Sequence, residues 1–154
     1  MTNLISVIIP NYNRSNLLEK AILSIIQQKS SIPFSREVII VDDGSTDNSR
    51  DIIEIYASKY PYNIKYIYQQ NKWVNAARNN WINAISKNSM YFVELDNDDE
   101  LKPDFFDTNL HKWEELRQRW TYDSVIFLIS FCEDEFGKFI WNKKILEGKS
   151  EKEF

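Results

Sequence analysis

Short apolar runs alternate with amphipathic segments along most of this chain. The runs are rich in β-branched and aromatic residues and are bounded by polar or turn-forming residues, which is typical of buried strands. The pattern therefore predicts a strand at each run. The predicted strands are Leu4–Pro10, Glu37–Val41, Asn63–Gln69, Met90–Leu95 and Asp123–Phe131.

Between these strands, apolar side chains recur every three or four residues, which predicts helices with one buried face. Asn16, with Glu19 as its capping-box partner, is the expected N-cap of the first helix. Pro103 is expected in the first turn of the fourth. The predicted faces carry Leu17, Leu18, Ala21, Ile22, Ile25 and Ile26; then Ile52, Ile53, Tyr56 and Ala57; then Ala77, Trp81, Ala84 and Ile85; and finally Phe106, Leu110, Trp113, Leu116 and Trp120.

The end of the chain has a weaker pattern. A turn is expected at Glu133–Lys138, with Gly137 in a left-handed conformation. The short apolar run Phe139–Trp141 follows this turn. From Asn142 onward the sequence is charged, and we expect a loose tail.

Strands that are apolar throughout and alternate with helices predict an α/β fold. The central sheet should be Rossmann-like, mostly parallel and covered on both faces. In such sheets ligands bind beyond the carboxyl ends of the strands. The polar loops after the first, second and fourth strands should therefore converge on one crevice. These loops are Asn11–Arg14, Asp42–Asp47 and Asp96–Glu100. No internal repeat or linker interrupts the pattern, so residues 1–154 are expected to form a single domain.

Composition and charge narrow the function. Nineteen basic against 23 acidic residues give a formal net charge of −4 without a basic stripe, so no nucleic-acid partner is expected. Cys132 is the single cysteine, which excludes an internal disulfide, and its apolar surroundings indicate a core thiol. His111 has no second histidine or cysteine to share a metal. No segment approaches the ~20 apolar residues of a membrane span, and Leu4–Ile9 lacks the features of a signal peptide.

The acidic segment Glu94–Leu101, ELDNDDEL, gives the sharpest chemical signal. Two carboxylates ~4 Å apart at an effective dielectric of ~20 repel each other by roughly 4 kcal/mol. The segment lacks the glycine and the final glutamate of an EF-hand loop. Its spacing instead suits Mn²⁺ or Mg²⁺, held by one or two carboxylates with phosphate oxygens completing the shell.

Two further loops carry candidate binding residues. Asp42 and Asp43 follow the second strand and precede Gly44, which suits a turn. A helix cap within this loop at Ser45, Thr46 or Asp47 explains the small polar residues but not the paired aspartates. Arg78, early in the third predicted helix, is either a solvated arginine or a charge-assisted contact to a diphosphate or base. Arg14 is a weaker candidate for the same role.

Four of these segments, in this order, resemble the motifs of the family 2 glycosyltransferases, nucleotide-sugar-dependent enzymes with the A-type glycosyltransferase fold. The resemblance extends from Ile5 to Asp104, and four short motifs in register make it specific. It implies that fold for this chain. The matching segments are VIIPNYN at Val7–Asn13, VDDGSTDNS at Val41–Ser49, AARN at Ala76–Asn79 and LDNDDEL at Leu95–Leu101.

The resemblance also implies a nucleotide-sugar-binding role for individual residues. Pro10, Tyr12 and Asn13 would lie beside the base and ribose. Asp43 would bind the uracil or another base. Arg78 would contact the base or the diphosphate.

In the acidic segment, Asp96, Asn97 and Asp98 match the family's Asp-X-Asp element. Asp98 or Asp99 would be the metal ligand, and the other, together with Asp96, would contact the ribose or support the metal shell. The family commonly has glycine where this chain has Trp73 and Trp81. Trp73 precedes the AARN motif and is therefore expected to reshape the donor pocket.

The activity implied by the resemblance is metal-dependent sugar transfer, with inversion, from a nucleotide-sugar to a saccharide or lipid-linked acceptor. UDP-sugars are the expected donors. The family's catalytic base lies beyond the position equivalent to Phe154, so the chain is expected to be the nucleotide-binding portion of a longer enzyme. Bacterial surface polysaccharide synthesis in the cytoplasm, with peripheral contact to the inner membrane, is the expected setting.

Two other classes of function compete with this hypothesis. One is a nucleotide-sugar-binding module without turnover, because the base is absent or lies on a partner chain. The other is a nucleotidyltransferase, which shares the strand–helix alternation and acidic metal sites. The sequence disfavours the nucleotidyltransferase, because PNYNRSN, Pro10–Asn16, contains no glycine for a phosphate-binding loop.

Overall fold

The computed structural model describes residues 3–61, 63–70, 83–119, 127–133 and 139–145, with side chains described as far as residue 115. The elements are β1 (Asn3–Asn11), α1 (Ser15–Ile26), β2 (Phe34–Asp42), α2 (Ser49–Lys59), β3 (Ile64–Tyr68), β4 (Tyr91–Glu94), α3 (Phe105–Arg119), β5 (Phe127–Glu133) and β6 (Phe139–Ile145). Among the described residues, helices follow β1, β2 and β4, as the hydrophobic pattern predicts, while Ala84 and Ile85 of the third predicted helix lie in a turn and a bend.

Four strands form a parallel sheet in the order β3–β2–β1–β4. Val7 of β1 stands opposite Val38 of β2 on one side and Val93 of β4 on the other. The strand order reverses direction at β1, since β2 and β3 lie to one side and β4 lies to the other. The carboxyl ends of β1, β2 and β4 therefore share one edge, which is where ligands bind in open α/β sheets.

Both faces of this sheet are covered, which explains why its strands are apolar without alternation. On one face, Ile5, Val7 and Ile9 of β1 belong to the main core with α1, α2 and α3. On the other face, Ile8 belongs to a smaller cluster with Ile39, Val41 and Phe92. Fully burying one such side chain stabilises the fold by roughly 1.5–3 kcal/mol.

The predicted buried face of α1 is confirmed, because Leu18, Ala21, Ile22 and Ile25 are buried. The predicted N-cap at Asn16 is wrong. The helix begins at Ser15, and the cap position, Arg14, makes no side-chain capping bond. Instead the backbone N–H of Ser15 donates to the Asp47 carboxylate at 2.9 Å. A distant loop thus satisfies one of the free N–H groups at the start of the helix.

The helix after the acidic segment is also confirmed, and Phe106, Leu110 and Trp113 are buried on its core face. Pro103, however, lies before this helix and not in its first turn, because α3 begins at Phe105. The predicted core residues Leu116 and Trp120 lie outside the described side chains.

The last part of the chain differs from the sequence-based expectation. Asn142–Ile145 belongs to β6, which pairs antiparallel with β5, so the expected loose tail is wrong for these four residues. Pairing with a neighbouring strand stabilises a charged segment that has little apolar character of its own. Gly137 and residues 146–154 lie outside the described residues, as does most of the third predicted helix. Among the described residues, no helix is both long and apolar enough to cross a membrane.

Candidate functional site

Asn11, the last residue of β1, joins three loops at the carboxyl edge of the sheet. Its carbonyl oxygen accepts a hydrogen bond from the backbone N–H of Asp43 at 2.9 Å. Its side-chain Nδ2 donates to Ser45 at 3.2 Å, and its Oδ1 accepts from the Asn97 amide at 3.0 Å. Asn11 is only 3% exposed, so these bonds satisfy a buried amide. The predicted convergence of the three polar loops is confirmed.

Asn13 braces the first loop against the second. Its backbone φ of 51° is left-handed, a conformation that asparagine tolerates better than most residues. Its N–H donates to the Ser45 hydroxyl at 2.9 Å, and its Oδ1 accepts from the Thr46 N–H at 2.7 Å. The side-chain oxygen of Asn13 is therefore engaged in holding the two loops together.

The two adjacent aspartates after β2 have different surroundings. Asp42 is 1% exposed and accepts from the Ser45 N–H at 3.1 Å and from the Tyr66 hydroxyl at 3.0 Å. Burial and the Asp42 carboxylate together raise the pKa of Tyr66 to about 12, so this hydroxyl stays protonated and donates. Asp42 thus holds the turn at Gly44, whose φ is 81°.

Asp43 is only partly buried, in contrast to Asp42. Its Oδ1 accepts a hydrogen bond from the side-chain amide of Gln69 at 2.7 Å. The backbone N–H of Gln69 in turn donates to the Asp42 carbonyl at 2.9 Å. The predicted binding residue Asp43 is therefore oriented by Gln69, a residue that sequence reasoning missed.

Two tyrosines stand at the carboxyl ends of β1 and β3, the strands on either side of β2, which carries Asp42. Tyr12, a predicted binding residue, follows Asn11 and is 48% exposed, while Pro10 is partly buried in β1. Tyr68 ends β3, opposite Asp42 in the strand register, and is 57% exposed. Its position at the carboxyl end of a strand was the one sequence signal that pointed to Tyr68.

The acidic segment forms a turn directly after β4. The backbone N–H of Asp99 donates to the Asp96 carbonyl at 3.1 Å, which closes the turn. Asp96 and Asp98 are exposed and Asp99 is half-buried. Burial, followed by the negative charges of Asp96 and Asp98, raises the pKa of Asp99. The three carboxylates are therefore close enough to repel one another, as their spacing predicts.

These carboxylates fit a hard divalent cation that is only partly held by protein. Their oxygens are the ligands that Mg²⁺ and Mn²⁺ prefer, and the repulsion at Asp99 favours a positive neighbour. Among the described side chains, no group of three or more histidine, cysteine, aspartate or glutamate residues could hold a metal ion. A cation at this turn would need ligand oxygens to complete its shell.

Arg78, Trp73 and Trp81 lie outside the described residues. A separate cleft of about 990 Å³ borders the C-terminal half of α1 and includes Glu100 from the acidic segment, but none of the predicted site residues lines it. The predicted site residues that the structure brings to the carboxyl edge are therefore Pro10, Tyr12, Asn13, Asp43, Asp96, Asp98 and Asp99. The loops that carry them are held by Asn11, Asp42, Ser45 and Gln69.

Comparison with known proteins identifies the family. The sequence model of glycosyl transferase family 2 matches residues 6–152 of the chain. The chain belongs to this family. The resemblance carried by the four sequence motifs is thereby confirmed, and the chain is placed in a family of glycosyl transferases.

Relatives of this family 2 chain have related names. It is 35% identical over 128 residues to an uncharacterized glycosyltransferase of Mycoplasma pneumoniae, the MG060 homolog, covering 83% of this chain and 41% of that protein. It is 39% identical over 94 residues to the minor teichoic acid biosynthesis protein GgaA of Bacillus subtilis, covering 61% and 21%. The chain therefore spans less than half the length of these curated relatives.

A solved structure confirms the A-type glycosyltransferase fold. S. aureus TarS 1-349 in complex with UDP-GlcNAc is similar with a TM-score of 0.59 and 25% sequence identity. The match covers 77% of this chain and 32% of the TarS chain. The mostly parallel sheet predicted from the apolar pattern is thus the sheet of this family's fold.

Proposed function

We propose that this family 2 chain carries the donor site of a metal-dependent transferase that moves a sugar from a UDP-sugar to a saccharide or lipid-linked acceptor with inversion. The observation that carries the proposal is the joining of three loops at Asn11. This residue bonds to the Asp43 N–H, to Ser45 and to the Asn97 amide. It places a potential base-binding carboxylate and a potential metal-binding turn at one edge of the sheet.

The nucleotide would be bound by the loops after β1 and β2. Asp43 is a partly exposed acceptor, suited to the ring N–H of uracil, and Gln69 fixes its orientation at 2.7 Å. The exposed ring of Tyr12 offers an apolar face to the base. Pro10 would lie beside the ribose, and Arg78 would contact the base or diphosphate. The TarS complex with UDP-GlcNAc, at 25% identity, supports a UDP-sugar as donor.

The diphosphate would be held at the acidic turn. Asp98 and Asp99 would hold the Mn²⁺ or Mg²⁺, and Asp96 would contact the ribose or support the metal shell. When bound, the cation neutralises charge on the diphosphate and makes it a better leaving group. Burial, followed by repulsion from Asp96 and Asp98, makes the ionised form of Asp99 unfavourable. Binding of the cation would relieve this repulsion.

The transfer would be a displacement at the anomeric carbon of the sugar. The acceptor hydroxyl oxygen attacks the anomeric carbon from the face opposite the diphosphate. The bond from that carbon to the diphosphate oxygen breaks, and its electron pair leaves with UDP. The acceptor proton passes to a general base, which we do not assign to any described residue. Attack from the opposite face inverts the anomeric configuration.

The proposal is tested by turnover of UDP-sugars by the full chain with a mixture of saccharide acceptors. UDP release should require Mn²⁺ or Mg²⁺, should stop with EDTA, and should be lost in Asp98→Asn/Asp99→Asn. Glu100→Gln, an exposed charge in the same segment, is the matched control and should keep full activity. Equal UDP release with EDTA would overturn the metal role. UDP binding without release would favour the binding module.

A further inference from the structure

Two polar side chains, Ser24 and Gln28, attach the C-terminal end of the acidic segment to α1. The Ser24 hydroxyl, in the last turn of α1, accepts from the backbone N–H of Leu101 at 3.0 Å. Gln28, just beyond the end of α1, donates from Nε2 to the Lys102 carbonyl at 2.7 Å. Its Oε1 accepts from the Phe106 N–H, at the start of α3, at 3.0 Å.

The Gln28 amide is fixed in one orientation. It is 2% exposed, and its Nε2 also donates to the Ser24 carbonyl at 3.0 Å. Oxygen and nitrogen could not exchange places without setting acceptor against acceptor at Lys102 and donor against donor at Phe106. A buried amide with all its partners in place is a rigid anchor.

The acidic segment is consequently fixed at both ends. At its start the Leu95 N–H donates to the Ile8 carbonyl of β1 at 2.9 Å. At its end Leu101, two residues after Asp99, is fixed by Ser24. These attachments oppose the mutual repulsion of the carboxylates, which favours a more open turn.

We infer that Ser24 and Gln28 are positioning residues, which hold the Asp98 and Asp99 carboxylates in the arrangement that binds the divalent cation. This inference rests on the proposed function, since it assigns the anchor a role at that metal site. Neither residue is among the candidate site residues. They would act through the backbone of Leu101 and Lys102, which follow Asp99 by two and three residues.

Ser24→Val and Ser24→Thr form the decisive pair of variants, because they have the same shape and differ in the hydroxyl that accepts from Leu101. Gln28→Met is the second variant and removes both amide groups at similar length. Tyr56→Phe is the matched control. It removes the 2.7 Å hydrogen bond that Tyr56 of α2 donates to Glu19 of α1, the helix that also carries Ser24. This bond lies away from the acidic segment.

Calorimetry measures the Mn²⁺ concentration at which UDP binding to the full chain is half-maximal. Ser24→Val and Gln28→Met should raise it roughly 10- to 100-fold, the usual effect of losing an outer partner of a metal site. UDP affinity in EDTA should stay unchanged. Ser24→Thr and Tyr56→Phe should behave as wild type, which a general loss of stability would not produce.

The outcomes separate the two proposals. If wild type binds UDP with a clear Mn²⁺ dependence and Ser24→Val leaves that dependence unchanged, the positioning role is overturned and the proposed function stands. If wild type shows no Mn²⁺ dependence, the metal site of the proposed function fails and the positioning role fails with it. Should Gln28→Met not fold, the serine pair alone still decides.

Discussion

The side-chain amide of Asn97 donates a hydrogen bond to the side-chain oxygen of Asn11 at 3.0 Å. Asn97 is the middle residue of the Asp-X-Asp element, and Asn11 also holds the loop that carries Asp43. One direct contact thus joins the acidic turn to a residue 86 positions earlier in the sequence, which also holds the loop after β2. The affinity for a ligand bound at the loop after β2 should therefore depend on whether the acidic turn is ordered.

Removing this contact should destabilise the fold and weaken the coupling between the loops. Asn11→Ala removes the buried amide that bonds to Ser45 and Asn97, and should lower the free energy of unfolding by about 1–3 kcal/mol. Asn97→Ala should cost less, because Asn97 is less buried. Urea unfolding of both single variants and the double variant measures their coupling energy, expected at about 0.5–3 kcal/mol. Strict additivity would show that the contact couples nothing, and Asn109→Ala on α3 serves as a control.

Neutralising Asp99 should stabilise the metal-free protein. Its pKa is raised in the folded state, so folding is favoured at low pH and this contribution is lost as the pH rises through the folded pKa. At pH 7 Asp99→Asn should raise the free energy of unfolding by up to ~1 kcal/mol, because solvent screens the partly exposed charges. The gain should vanish below about pH 4, where both proteins are neutral at this position.

Urea unfolding in EDTA at pH 7 and pH 3.5 measures this effect. Glu100→Gln removes a neighbouring exposed charge from the same segment and should change the free energy of unfolding by less than about 0.5 kcal/mol. A loss of stability in Asp99→Asn at pH 7 would show that burial and the neighbouring charges do not disfavour the ionised form of this carboxyl group.

Asp47 should contribute stability that is lost in acid. Burial raises its pKa, but hydrogen bonds from Ser49 and Ser15 outweigh that effect and lower the pKa to about 2. The contribution is therefore present above the ordinary aspartate pKa of about 4 and is lost as the pH falls toward about 2. Asp47→Ala should cost about 0.5–2 kcal/mol at pH 7, as for a lost helix cap. Thermal unfolding from pH 7 to pH 2 should show the two proteins converging in acid.

Glu37 of β2 links the neighbouring strands β1 and β3 to the turn before β4. It is buried and accepts from Ser6 at 2.6 Å, from the Ser86 N–H at 2.8 Å and from Lys65 at 2.6 Å. Burial opposes its ionisation, but the bonds from Lys65, Ser6 and Ser86 outweigh burial and lower its pKa. Its contribution to stability is thus present above the ordinary glutamate pKa and is lost as the pH falls through the lower folded value.

Glu37→Gln should therefore cost about 1–3 kcal/mol at pH 7, because Lys65 and the serine donors lose a charged acceptor. The difference from wild type should shrink below about pH 4. The control is Glu54→Gln, which breaks an exposed ion pair with Arg50 at 2.7 Å and should cost less than about 1 kcal/mol. Equal costs for the two variants in urea unfolding at pH 7 would contradict the role given to Glu37.

Much of the fold could be predicted because strong local patterns and tertiary burial agree. The run Ile5–Ile9 is apolar at nearly every position, and only a strand covered on both faces uses such a run. The meeting of the three loops followed from the geometry of parallel sheets, in which carboxyl ends share one edge.

The features that escaped prediction depend on partners far apart in sequence. Ser15 at the start of α1 finds its cap in Asp47, and Gln28 finds its acceptor in Lys102, which is 74 positions away. Local capping rules cannot foresee such partners. Likewise, Asp42 and Asp43 are adjacent residues of the same type. Their distant partners distinguish them: Tyr66 bonds to Asp42, which forms the turn, and Gln69 bonds to Asp43, which is partly exposed.

Calorimetric titration of UDP into the full chain, in excess Mn²⁺ and in EDTA, tests the central claim most directly. The proposed site predicts UDP binding that Mn²⁺ strengthens at least tenfold, by relieving the repulsion at Asp99 and adding phosphate contacts. Asp98→Asn/Asp99→Asn should abolish that Mn²⁺ effect and leave the affinity in EDTA unchanged. If UDP affinity in Mn²⁺ is the same for wild type and the double variant, the acidic turn does not hold the metal, and the proposed site is wrong.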